Sequence, residues 1–99
     1  MTINIQFVNL DYSDAIAEHA TTKLKKLADK YEWLINADVF FKEEANVPEK
    51  SKICNIKLSL PGPQIFATSQ EKNYEAALKE TINDLDIQLK KRKQTFKTY

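Results

Sequence analysis

Residues 14–42 read DAIAEHATTKLKKLADKYEWLINADVFFK, and within them the apolar period changes once. Up to Leu34 the apolar residues recur every three or four positions, at Ile16, Ala20, Leu24, Leu27, Tyr31 and Leu34. That spacing gathers them on one side of a helix, so a long amphipathic helix is predicted over residues 14–32. Asp11 and Ser13 offer capping oxygens, and Asp14 and Glu18 place negative charge in the first turn, where the helix dipole favours it. From Asn36 the period drops to two. Ala37, Val39 and Phe41 alternate with Asp38, Phe40 and Lys42, the pattern of a half-buried strand.

Working outward, Ile3, Ile5 and Phe7 alternate with Asn4, Gln6 and Val8, which predicts a first strand over residues 2–9. After the second strand, residues 43–51 (EEANVPEKS) are polar and carry Pro48, so a flexible loop is expected there. Cys54, Ile56, Leu58 and Leu60 then alternate with Ile53, Asn55, Lys57 and Ser59 as a third strand. Pro61-Gly62-Pro63 interrupts it, and residues 64–69 form a short fourth strand closing a hairpin. From Asn73 the helical period returns through Leu78, Ile82, Leu85, Leu89 and Phe96. The order is β-α-β-β-β-α in one domain spanning residues 1–99. It implies an α+β two-layer sandwich, a four-stranded mixed sheet with two long helices on one face. The helical crossover makes the first two strands parallel and right-handed in connection, and the short links make the rest antiparallel.

A chain of 99 residues, 42% hydrophobic, has apolar mass for one core and no room for a second. No apolar run nears the roughly 18 residues of a membrane span, and the N-terminus lacks a basic region followed by an apolar one. A soluble, non-secreted, cytoplasmic protein is expected. Cys54 is the sole cysteine, so no internal disulfide forms, and on the apolar side of its strand it reads as a small buried hydrophobe. His19 is the sole histidine and Gly62 the sole glycine, which leaves no His-rich metal site and no glycine-rich phosphate loop. The carboxylate pairs Glu43-Glu44 and Asp84 with Asp86 lie among solvated neighbours. No catalysis, no cofactor, no metal and no small-molecule substrate are expected.

Charge is where the chain departs from an ordinary small domain. Residues 88–99 (QLKKRKQTFKTY) hold Lys90, Lys91, Arg92, Lys93 and Lys97 with no acid; the whole chain carries +1, so the remainder sums to −4. A partner feels that local field and not the average. With Leu89 and Phe96 anchoring it on the core, this end presents its cations on a helix. On the first helix His19, Lys23, Lys26 and Lys30 fall in one line beside the apolar stripe. On the second, Lys79, Lys90, Lys93 and Lys97 share a line with Asn83 and Asp86. Lysine rows are ordinarily solvated surface, but an acid-free helix end is not, since soluble surfaces interleave both signs. Packed side by side, the two rows would border a channel of positive potential suited to a phosphate backbone.

Several stretches also resemble the ribosome hibernation-promoting factor family, known too as ribosome-associated inhibitor or sigma-54 modulation proteins, in its short single-domain form. They are NIQFVN from Asn4, KLKKLADKYEWLINADVFFK from Lys23, IFATSQ from Ile65 and YEAALKETINDLDIQLKKRK from Tyr74. The resemblance implies a bacterial protein that binds the small ribosomal subunit in the channel of mRNA and tRNA. It would contact 16S rRNA through basic residues of both helices, block translation and preserve idle ribosomes under stress. Lys23, Lys26, Lys91, Arg92 and Lys93 match basic positions of the family pattern; Lys30, Lys90 and Lys97 join them from the charge pattern alone. Asp86-Ile87 stands where relatives often have a basic residue, and Asp86 is expected to repel phosphate and mark where the positive surface ends. Ending at Tyr99, the chain is expected to be a monomer off the ribosome and to leave the pairing of ribosomes to a separate factor.

A different binding mode uses the sheet. Phe40 and Phe66 point away from the helices, where aromatics can stack bases as in a general RNA-binding sheet or dock a protein partner. The bland reading is that the two rings cover each other.

Overall fold

The computed structural model describes residues 1–46 and 48–96. Its order is β1 (Thr2–Phe7), α1 (Asp14–Lys30), β2 (Asn36–Glu43), a 3-10 turn (Pro48–Lys50), β3 (Lys52–Ser59), β4 (Ile65–Glu71) and α2 (Tyr74–Phe96). The predicted α+β fold is the one observed. The sheet runs β1-β2-β3-β4, with β1 parallel to β2 and the later pairs antiparallel.

Local chemistry sets the ends. Ser13 Oγ accepts from the Ile16 amide at 3.3 Å and Asn73 Oδ1 from the Ala76 amide at 2.8 Å, so each helix begins on a side-chain cap. β1 stops two residues short of expectation because Asn9 turns the chain at φ 57, in the left-handed region that asparagine tolerates. α1 likewise stops at Lys30, since Tyr31 already has φ −127 and ψ 82. Part of the polar stretch 43–51 is regular structure where a loop was expected. Glu43 pairs with Lys52 in register and by an ion pair, and the 3-10 turn occupies part of the link.

Alternation decides which sheet face is covered. Ala37, Val39, Phe41, Cys54, Ile56 and Leu58 are all fully buried beneath the helices. They meet Leu24 and Leu27 of α1 and Leu78, Leu85 and Leu89 of α2 in one core. The polar exception, Thr81, donates its hydroxyl to the Ala77 carbonyl at 2.8 Å. Cys54 is buried as its alternation indicated, and burial pushes its thiol up to about 12, against a hydrogen bond with Thr81 that acts to lower it. Phe96 departs from expectation. It is 37% exposed and packs edge-on against Trp33, with ring centroids 4.9 Å apart, while Leu89 alone of the pair reaches the core.

Candidate nucleic-acid interface

The two helices run side by side and parallel. His19 and Lys23 of α1 share a hollow with Asn73 and Lys79 of α2, and eleven residues on from His19, Lys30 meets Asp86. The offset of 56 positions between Lys30 and Asp86 is the same as that between Lys23 and Lys79. Parallel packing lines up the two cationic rows along a single groove. α2 continues ten residues beyond Asp86, about 15 Å at the helical rise, so its basic end overhangs the end of α1.

At the near end of the groove stand His19, Lys23 and Lys79, with Glu75. Lys26 is exposed on α1 beside Lys23. At the far end Lys30, Tyr31, Lys90, Lys93 and Gln94 line a hollow of about 250 Å³. Two expected members turn elsewhere. Arg92 donates from Nη1 to the Pro61 carbonyl at 3.1 Å and lies against Gly62, on the opposite flank of α2. Lys91 is exposed, roughly 140° around the helix from Asp86 at 100° per residue. Lys97 lies outside the described residues.

Asp86 is not the repulsive end of the positive surface. Lys30 Nζ reaches both its carboxylate oxygens at 3.0 Å, and the Tyr31 hydroxyl donates to Oδ1 at 2.6 Å. Burial pushes this carboxyl up, but the Tyr31 hydroxyl and the Lys30 and Lys90 ammonium groups outweigh it and hold it below the usual carboxylate range. The acid is thus neutralised within the groove and clasps α1 to α2. Sequence reading saw Asp86 in line with the lysines but had no means of pairing it with Lys30, because the pairing depends on the axial offset of two separate helices.

The same clasp acts on Tyr31, which is 1% exposed. Burial, the hydrogen bond to Asp86 and its negative charge all push the phenol up, to about 12. A phenol whose folded value exceeds its unfolded value of about 10 contributes stability that is complete below that value and lost as pH rises toward 12. The urea midpoint should therefore fall between about pH 10 and 12. In a spectrophotometric titration Asp86→Asn should bring Tyr31 down toward the ordinary range; an unchanged titration would contradict the clasp.

The sheet face assembles no aromatic platform of the kind considered. Phe40 pairs with Asn55 and Phe66 with Lys57, on β2 and β4, which are separated by β3, so the rings do not cover each other. Phe66 is 59% exposed, whereas Asn4, Asn36 and Asp38 form a hydrogen-bonded polar cluster on the same face. Among the described residues no group of three or more His, Cys, Asp or Glu is placed to hold a metal, and no helix is long and apolar enough to cross a membrane.

A profile of the family described as sigma 54 modulation protein / S30EA ribosomal protein matches residues 3–97. The chain belongs to that family. This sigma 54 modulation / S30EA family is one of ribosome-associated proteins and not of enzymes. Its fold recurs in a ribosomal subunit interface protein from Coxiella burnetii, 24% identical, with a TM-score of 0.85 over 95% of this chain and 99% of that one. It recurs also in the N-terminal domain of Protein Y from Thermus thermophilus, 24% identical, with a TM-score of 0.79 over 92% and 98% of the respective chains. A search of curated proteins finds no match.

Proposed function

We propose that this member of the family binds the small ribosomal subunit in the channel that mRNA and tRNA occupy, and there blocks translation and keeps idle ribosomes intact. The supporting observation is the groove, in which parallel packing sets Lys23 of α1 beside Lys79 of α2 at one end and Lys30 beside Lys90 and Lys93 at the other, with Lys26 exposed next to Lys23. Neutralisation of Asp86 by Lys30 removes the one acid that interrupted the α2 row. Lys91 and Arg92, on other flanks of α2, are further contacts for neighbouring phosphates of 16S rRNA, and Lys97, outside the described residues, joins them on its charge alone. The name of one solved relative, a ribosomal subunit interface protein, agrees with binding at the ribosome. Occupancy is the whole mechanism: a folded domain lying on the rRNA backbone excludes other ligands without bond chemistry. Off the ribosome the protein acts as a cytoplasmic monomer.

Such binding is dominated by release of counterions. With five to eight phosphate contacts, the logarithm of the association constant should fall against the logarithm of salt concentration with a slope of about −4 to −7. Co-sedimentation with isolated small and large subunits at two salt concentrations measures this. Binding to small subunits that weakens steeply with salt is expected; a flat salt response, or binding to large subunits alone, would overturn the reading.

A further inference from the structure

Where α2 overhangs α1, the groove ends on two aromatic rings. Trp33, in the turn between α1 and β2, is half-buried and braced edge-on by Tyr31 at 5.6 Å between centroids. Phe96 of α2 stands against it at 4.9 Å with an interplanar angle of 79°, so the two rings make a near-perpendicular corner. Phe96 keeps 37% of its surface exposed. This corner lies next to the residues that line the cationic hollow. Lys93 lies one helical turn before Phe96 on the same flank of α2, Lys30 lies three residues before Trp33, and both line the hollow with Lys90.

We infer that the Trp33–Phe96 corner is a stacking site for one unpaired nucleobase of the RNA whose backbone lies along the groove. The inference rests on the proposed function and names a contact within it. Charge chooses the occupant. The lysines beside the rings draw a polyanion, and an aromatic face next to a cationic track is the arrangement that holds single-stranded nucleic acid by stacking irrespective of base identity. A duplex would not use it, since its bases are already stacked inside. An apolar protein partner would have to cover the exposed Lys90 and Lys93 at its margin and desolvate them. The rings suit a base because bracing by Tyr31 fixes the indole before the ligand arrives, so little side-chain freedom is lost on stacking.

Trp33 is the only tryptophan, so the chain's indole emission reports on this corner alone. The full chain is titrated at low salt with a single-stranded oligoadenylate and, separately, with inorganic polyphosphate of matched charge. Quenching by the oligonucleotide and not by polyphosphate is expected, and Phe96→Ala should weaken the oligonucleotide about tenfold. Trp33→Leu, followed by anisotropy of a labelled oligonucleotide, should show a loss of similar size. Phe96→Ala keeps the test open if Trp33→Leu fails to fold, because Phe96 is exposed at a helix end. Oligonucleotide binding without quenching, and without loss in Phe96→Ala, overturns the stacking site while leaving the groove standing. Failure of both polyanions to bind overturns the groove and the stacking site together.

Discussion

Lys90→Glu combined with Lys93→Glu should reduce binding to small ribosomal subunits by about 10²-fold or more at low salt. Each lysine is exposed and lines the hollow opposite Lys30, so on the proposed function a phosphate bound there would accept a charge-assisted hydrogen bond from each. Such a bond contributes roughly 1.5–3 kcal/mol, and removing two corresponds to about two decades in affinity before repulsion is counted. Repulsion adds to this, because the reversed pair also leaves Asp86 sharing Lys30 with two new carboxylates. The salt slope should shrink by about two units as two counterion-releasing contacts disappear. Since both positions are at the surface of α2, the urea midpoint should move little. Sedimentation profiles and salt titration measure the effect together. Wild-type co-sedimentation by a folded double variant would remove the far end of the groove from the binding surface.

Phe41→Ala should cost about 3–5 kcal/mol of folding stability. Phe41 is fully buried in the central part of the sheet, stacked on Phe7 of β1 at 5.1 Å and met edge-on by Tyr74 of α2 at 5.5 Å. Its ring thus joins the edge strand, the sheet centre and the start of α2, and no neighbour is free to collapse into the space it leaves. Tyr74 in turn donates its hydroxyl to the Lys42 carbonyl at 2.9 Å, so movement of that ring would strain a backbone hydrogen bond as well. A domain of this size has a total stability of about 5–15 kcal/mol, and the loss is a large share of it. Urea unfolding at neutral pH should show a much lower midpoint at similar slope. A change below about 1 kcal/mol would mean that the cluster repacks freely.

The contrast between these two sites follows the line between local and non-local information. The period change at Asn36, the caps at Ser13 and Asn73 and the alternation through Phe41, Cys54 and Ile56 are properties of adjacent residues. They determined element order, the covered sheet face and the α+β class, because a helix or a strand has only one way to bury such a stripe. The small errors at residues 8–9 and 31–32 come from single backbone angles, which side-chain pattern does not encode. Lysine rows along each helix were legible for the same local reason, and the structure brings Lys23 beside Lys79 and Lys30 beside Lys90 and Lys93.

What the pattern could not contain is the offset between helices. Whether Asp86 meets phosphate or Lys30 depends on axial registry set by the core leucines of α1 and α2 against the sheet, a property of three packed elements at once. The same holds for Arg92, drawn to the Pro61 carbonyl; for Phe40 and Phe66, kept apart by an intervening strand; and for Trp33 and Phe96, brought together from distant parts of the chain. By itself the sequence determined which elements form, which of their faces are buried and where positive charge accumulates. Only the tertiary structure decided which charges face one another, because distances between elements are fixed by close packing of the shared core and not by the order of residues along any one of them.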